Sequence, residues 1–331
     1  MIFFISKKQL SIKYVIINRA KSLEILLNCE VKIVQINVSN SGLYLSKIVQ
    51  GMMRLRDWNL STKETEEFIL KAIDLGVTTF DHADIYGNYT CESLFGEALK
   101  LNPSIRDKIQ IVTKCGIVLP NKETKRIHYY DTSKDHILKS VDNSLRNLHT
   151  DYIDLLLIHR PDPFMNPEEI AEAFLELHKS GKVRFFGVSN FTIDQFKTLQ
   201  SKFSLPLVTN QIEISPFNLE HFENDNIYFL LGKNINPMAW SPLAGGKLFD
   251  ASNDKSVRIL TTLKEVAKEL GIDSIDTIVY AWLLNHPVGV IPISGSGKLE
   301  RLKNAVEATN IKMTREQWFK IYEAALGHDV P

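Results

Sequence analysis

From about residue 31 onward, short apolar runs alternate with longer segments in which apolar residues recur every three or four positions. The runs at 47–50, 77–80, 109–113, 152–158, 185–188, 208–212, 236–239 and 288–291 read as buried strands. The segments between them read as helices, and several carry their own start and stop signals. Ser61-Thr62-Lys63-Glu64 is a capping box that opens a helix to Leu75, with Gly76 just beyond it. Asn166-Pro167-Glu168-Glu169 supplies a cap, a first-turn proline and acids at the positive end of the helix dipole. That helix reaches Ser180 and is stopped by Gly181. Further helices are expected at 91–101, 134–148, 192–202, 256–270, 274–285, 299–308 and 314–325. Residues 31–45, centred on Ser39-Asn40-Ser41-Gly42, read as a hairpin.

Eight strands alternating with helices predict a parallel α/β protein. No linker or internal repeat divides the array. The expectation is a closed (α/β)8 TIM barrel over residues 31–331, with the N-terminal hairpin across its bottom and an extra helix at the C-terminus. A doubly wound open sheet is the alternative. Dinucleotide-binding sheets carry G-x-G-x-x-G after their first strand, and Gly51-Met52-Met53-Arg54 lacks it.

Composition narrows the setting. The 331 residues are 44% apolar, with 39 basic and 39 acidic residues, so nothing draws the chain to nucleic acid or an anionic membrane. Cys29, Cys91 and Cys115 have no metal or redox spacing. Three cysteines fit a reducing compartment, so a cytoplasmic protein with no metal site is expected. No apolar run approaches the ~18 residues of a membrane span. Residues 1–30 carry five basic residues before the first acid, Glu24, but no unbroken apolar core of the kind a signal peptide needs. They read as a poorly defined extension or an over-extended start.

Chemistry enters at the strand ends, where barrels of this kind place reacting groups. Asp81, Lys114 and His159 close the second, third and fourth strands, and Tyr86 lies five residues beyond Asp81. Each alone has a plain structural reading: a loop cap, a rim charge, a loop histidine, a packing aromatic. Adjacent barrel strands force the four together. A free tyrosine titrates near 10 and is a weak acid at neutral pH. The Lys114 ammonium favours phenolate, Asp81 holds that ammonium, and His159 orients a bound carbonyl. The set predicts protonation of a carbonyl oxygen as its carbon receives a hydride. No side chain donates hydride, so a nicotinamide cofactor is required. Pro292-Ile293-Ser294-Gly295-Ser296-Gly297-Lys298-Leu299-Glu300-Arg301 joins small residues to a helix start and two cations, as a phosphate site needs. Trp240, after the seventh strand, offers a flat face for a nicotinamide ring.

These residues carry a family resemblance. Asp-His-Ala-Asp-Ile-Tyr-Gly around Asp81 and Tyr86, Val-Thr-Lys-Cys-Gly around Lys114 and Leu-Leu-Leu-Ile-His-Arg-Pro-Asp around His159 resemble the aldo-keto reductases, in particular a bacterial oxidoreductase subgroup. Gly187-Val188-Ser189-Asn190-Phe191, Asn210-Gln211-Ile212-Glu213 and Ala239-Trp240-Ser241-Pro242-Leu243 match further motifs, over roughly residues 31–331. The resemblance implies reduction of small aldehydes or ketones with NADPH by a monomer. It makes Tyr86 the acid, Asp81 and Lys114 its tuners and His159 the carbonyl orienter. Ser189, Asn190 and Gln211 would bind the nicotinamide carboxamide, with Trp240 stacked on the ring. Ser241, Leu243 and Gly245 would line the pyrophosphate path. Ser296, Lys298 and Arg301 would hold the 2′-phosphate, with Ser294 competing with Ser296 for one family position. Ala305 stands where many members have an Asn facing adenine. Two other readings compete: an NADP-binding redox-sensing subunit with little turnover, and an aldolase that uses Lys114 as a Schiff-base amine.

Overall fold

The computed structural model describes residues 35–120 and 127–331. The expected extension at 1–30, Cys29, the start of the hairpin at 31–34 and residues 121–126 lie outside the described residues. The strands are β1 (Gln35–Val38), β2 (Leu43–Ser46), β3 (Val49–Gly51), β4 (Thr79–Asp81), β5 (Gln110–Cys115), β6 (Ile117–Val118), β7 (Tyr129–Tyr130), β8 (Ile153–Ile158), β9 (Val183–Ser189), β10 (Leu207–Glu213), β11 (Met238–Trp240) and β12 (Ile291–Ser294). Eight of them close a parallel barrel in the order β3-β4-β5-β8-β9-β10-β11-β12. The eight-stranded (α/β)8 barrel expected from the alternation is therefore the observed fold.

Side-chain parity explains why the barrel strands read as unbroken apolar runs. All six residues of β8 are buried. Leu155 and Leu157 point into the barrel, where they meet Val49, Val112, Val208, Met238, Ile291 and Ile293. Leu156 and Ile158 point outward against Phe174, Ile170 and Ile137 of the surrounding helices. The same parity aims His159, the next odd position, inward. On β5, Val112 faces in and Ile111 faces out, which sends Lys114 inward. On β4, Phe80 packs outward and Asp81 turns in.

β1 and β2 pair antiparallel and seal the N-terminal mouth. Val38, Leu43 and Leu45 pack on the interior apolar layer. The Ser39 hydroxyl donates to the Val208 carbonyl at 2.6 Å, and its backbone N–H donates to Asn236 Oδ1 at 2.8 Å. Helix caps follow the sequence signals: Ser61 and Glu64 form a reciprocal capping box on Thr62–Asp74, and Asn166 caps Pro167–Lys179. The C-terminal helix Arg315–Leu326 docks through Trp318, stacked on Trp282 at 5.0 Å. Each indole N–H donates to the other residue's carbonyl, at 3.1 and 3.0 Å.

Two expectations shift. The eighth barrel strand was expected at 288–291 and runs Ile291–Ser294. Val288 and Gly289 form a turn instead, with Gly289 at φ 69 and both carbonyls capped by the Asn236 amide at 3.2 and 3.0 Å. β6 pairs antiparallel with β7, two short strands that the apolar runs did not predict. No helix among the described residues is long and apolar enough to cross a membrane, and no cluster of potential metal ligands occurs among them.

Candidate active site

Lys114 is fully buried, and its ammonium makes three contacts. It donates to Asp81 Oδ2 at 2.7 Å, to the His82 carbonyl at 2.7 Å and to the Tyr86 phenol oxygen at 3.1 Å. An ammonium has three N–H donors and no lone pair, so these contacts exhaust it. The phenol oxygen must accept, which leaves the Tyr86 O–H free to donate elsewhere. The His159 ring stands edge-on to Tyr86 with centroids 5.8 Å apart. The four residues expected at one rim are thus brought together. Tyr86 is held by the loop after β4: its carbonyl accepts from Thr90 N and Cys91 N, both at 3.1 Å. The loop needs glycine at 87, where φ is 59 and a Cβ would lie 2.6 Å from Cys91 Sγ.

Burial sets the electrostatics. It pushes the Tyr86 phenol above its ordinary value, against the downward pull of Lys114. The expected net lowering is therefore not the resting state. The apolar surroundings outweigh the ammonium, and Tyr86 rests protonated. Burial also works against the Lys114 ammonium, but Asp81 and Tyr86 more than offset it and raise its pKa. A charged, fully enclosed Lys114 is a poor Schiff-base nucleophile, which counts against the aldolase reading. His159 is driven well below the usual histidine range by burial, then by Lys114 and Arg160, so its imidazole is neutral. Its Nδ1 is sealed in without a partner among the described residues, leaving Nε2 to meet a ligand.

Tyr86, Asp81 and His159 line a cavity of about 1090 Å³ that continues across the barrel top to Lys298 and Arg301. Ser189, Asn190, Gln211, Trp240, Ser241, Leu243, Gly245, Ser294 and Ser296 line it as well. Lys114 stands behind this wall. Trp240 is fixed by a bond from its Nε1 to Asn190 Oδ1 at 3.0 Å, and Asn190 Nδ2 donates to Ser189 Oγ at 2.8 Å. Gln211 spends its amide nitrogen on Asp81 Oδ1 at 2.8 Å. Ser294 is buried at the end of β12 against the Tyr280 hydroxyl, which burial pushes up to about 12. Ser296 is half-buried and accepts from the Lys298 N–H at 3.1 Å, so it is the more accessible of the two serines. Ala305 is fully buried in the core and does not line this cavity.

The strand-end reasoning missed a second tier of polar groups. Glu92 accepts from the Thr113 hydroxyl at 2.7 Å. Asp84 donates its backbone N–H to the Lys114 carbonyl at 3.0 Å. Burial raises Asp84 to about 8 and holds His82 down to about 3. Arg160, Trp58 and Tyr280 also line the cavity. Only the adjacency of Arg160 to His159 could have pointed to it.

Comparison with known proteins agrees with this geometry. The model of the Aldo/keto reductase family matches residues 47–325. An uncharacterized oxidoreductase, YcsN of Bacillus subtilis, is 53% identical over 87% of this chain and 97% of its own. A 6-dehydroglucose reductase of Agrobacterium fabrum is 45% identical over 87% of this chain and 97% of its own. The crystal structure of a thermostable aldo-keto reductase solved with the inhibitor epalrestat superimposes with a TM-score of 0.75 at 29% identity, covering 88% of this chain and 99% of that one. A closed barrel, a Tyr-Lys-Asp-His cluster on its rim and a family match over most of the length lead to one conclusion: the chain belongs to the aldo/keto reductase family.

Proposed function

We propose that this chain reduces an aldehyde or ketone to an alcohol with NADPH, Tyr86 acting as the general acid. The observation that carries the reading is the Lys114 ammonium fixed between the Asp81 carboxylate and the Tyr86 phenol, with the phenol O–H left free beside the cavity. The residues present suit a dinucleotide. At Gly245, Gly246 and Gly295 a Cβ would meet nothing within 4 Å, so the backbone there borders open space. Lys298 and Arg301 flank the start of the helix Leu299–Glu307, whose first N–H groups favour an anion. Ser189, Asn190, Gln211 and Trp240 would hold the nicotinamide, and Ser241, Leu243 and Gly245 the pyrophosphate. Ser296, Lys298 and Arg301 would hold a 2′-phosphate. When bound, the nicotinamide supplies the hydride.

The chain's own residues supply the proton and the orientation. Neutral His159 donates from Nε2 to the carbonyl oxygen. As charge develops on that oxygen, Tyr86 gives up its proton, and Lys114 stabilises the phenolate that remains. Asp81 keeps Lys114 charged throughout. The test is Tyr86→Phe, measured by NADPH oxidation over a carbonyl panel that includes a 6-oxo-hexose, with NADPH binding followed by fluorescence. Turnover should be lost with binding retained. Undiminished turnover would overturn the acid role.

A further inference from the structure

Arg160 follows His159 in the loop after β8 and lines the cavity. Its guanidinium carbon lies 5.6 Å from the centre of the Trp240 ring. Its charge reaches the reacting groups: it adds to the lowering of His159 and pulls against the burial that raises Tyr86. The arginines in salt bridges among the described residues are Arg106 and Arg184, not Arg160. The acid nearest in sequence, Asp162, is already engaged. Its Oδ2 accepts from the Thr132 hydroxyl at 2.8 Å and its Oδ1 from the Phe164 N–H at 2.7 Å. The two carboxylates lining the cavity among the described residues are engaged as well: Asp81 is paired with Lys114, and Asp276 sits beside Arg301. Arg54 and His128 add two further basic side chains to the lining. A half-buried guanidinium without a counter-ion among the described residues carries a desolvation cost that an anion removes, and its planar fork matches two oxygens at once.

We infer that Arg160 is a specificity-determining residue that binds an oxyanion on the substrate. The preferred substrates are then aldehydes or ketones that bear a carboxylate or phosphate a few bonds from the carbonyl. The inference rests on the reductase reading and names its substrate class. Trp240 has one role in both, as a wall against the nicotinamide and as the surface on which Arg160 is held.

The test compares matched pairs: 4-oxobutanoate with butanal, and glyceraldehyde 3-phosphate with glyceraldehyde. Wild-type enzyme should favour the anionic member in kcat/KM by about tenfold to a hundredfold, chiefly through KM, as one charge-assisted bidentate contact allows. Arg160→Met should collapse that ratio, Arg160→Lys should restore part of it, and added salt should shrink it in the wild type. A merely structural role would move both members of each pair alike. A preference for the neutral member, or a ratio unchanged in Arg160→Met, would overturn the inference. So would a tenfold loss of NADPH affinity in that variant with the ratio intact, because Arg160 would then serve the dinucleotide. If wild type reduces neither member, the reductase reading fails on its own. Calorimetric binding of 4-hydroxybutanoate against butan-1-ol, in wild type and Arg160→Met, then decides the oxyanion site separately.

Discussion

The side-chain amide of Gln211 donates to Asp81 Oδ1 at 2.8 Å, joining β10 to β4 across the top of the barrel. An irregularity in β10 makes this possible. Between Leu207 and Asn210 the strand advances three residues while its partner β9 advances two, from Phe186 to Val188. Val208 faces the barrel interior, and by simple alternation Asn210 would follow it. The extra residue hands the inward position to Gln211 instead, a re-aiming that bulges commonly perform beside functional sites. Asp81 thus has two partners, Lys114 on one oxygen and Gln211 on the other.

Gln211→Leu should therefore do more than weaken a cofactor contact. Removing a hydrogen bond from a buried charged acceptor costs about 1–3 kcal/mol. We expect that loss in denaturant unfolding, together with reduced turnover as Asp81 and Lys114 lose their fixed geometry. A change confined to NADPH affinity, with stability intact, would show that the Asp81 contact is inconsequential.

The Lys114–Asp81 pair predicts strong coupling. Lys114→Met leaves a buried carboxylate without its cation and should destabilise by about 3–5 kcal/mol. Asp81→Asn leaves the converse defect. The double variant should be less destabilised than the sum of the two singles, and a double-mutant cycle by chemical denaturation measures the difference. Additive effects would mean the ion pair contributes nothing specific to folding.

Asp84 predicts a pH dependence of defined sign. Its folded pKa is raised to about 8 by burial, then by Glu92, while in the unfolded chain it titrates near 3.8. Between those values the folded state holds a proton that the unfolded state releases, so this group's contribution to stability falls as pH rises from about 4 to 8. Asp84→Asn removes that loss. It should gain on wild type by at most about 1.4 kcal/mol per pH unit across the window and show no gain at its acid end. Unfolding free energies at stepped pH check the slope; a gain independent of pH would count against a buried, protonated Asp84.

Cofactor choice is the fourth prediction. Changing Lys298 and Arg301 together to neutral residues should weaken NADPH by about 10–100-fold and leave NADH nearly unchanged, as loss of charge-assisted contacts to one phosphate requires. Paired dissociation constants measure it. Equal weakening of both cofactors would place these cations on a shared part of the dinucleotide.

The tetrad was legible in the sequence because each member except Tyr86 ends an apolar run, and a parallel barrel gathers run ends at one rim. The helices were legible from their caps, Ser61 with Glu64 and Asn166 before Pro167. What stayed hidden depends on tertiary context. Pro287-Val288-Gly289-Val290 has the composition of a strand start, but Asn236, remote in the chain, turns it into a capped bend. The bulge in β10 leaves no mark on composition, so Gln211 read only as a cofactor ligand. The resting pKa of Tyr86 depends on how deeply it is buried, and spacing does not reveal depth. Ion pairs such as Arg106 and Arg184 on either side of Asp154 need the register of β8 on β9 and the placement of the turn Pro103–Lys108 to be seen.

The hairpin at the foot of the barrel also bears on kinetics. Val38, Leu43 and Leu45 pack beneath the filled interior at one end, and the cavity bordered by Tyr86 and His159 opens at the opposite rim. In the proposed reaction, nucleotide and carbonyl compound share that one cavity, and both must be there together for hydride to move directly between them. Bisubstrate kinetics should then show intersecting rather than parallel lines, and the ligand seated deeper should be the last to leave.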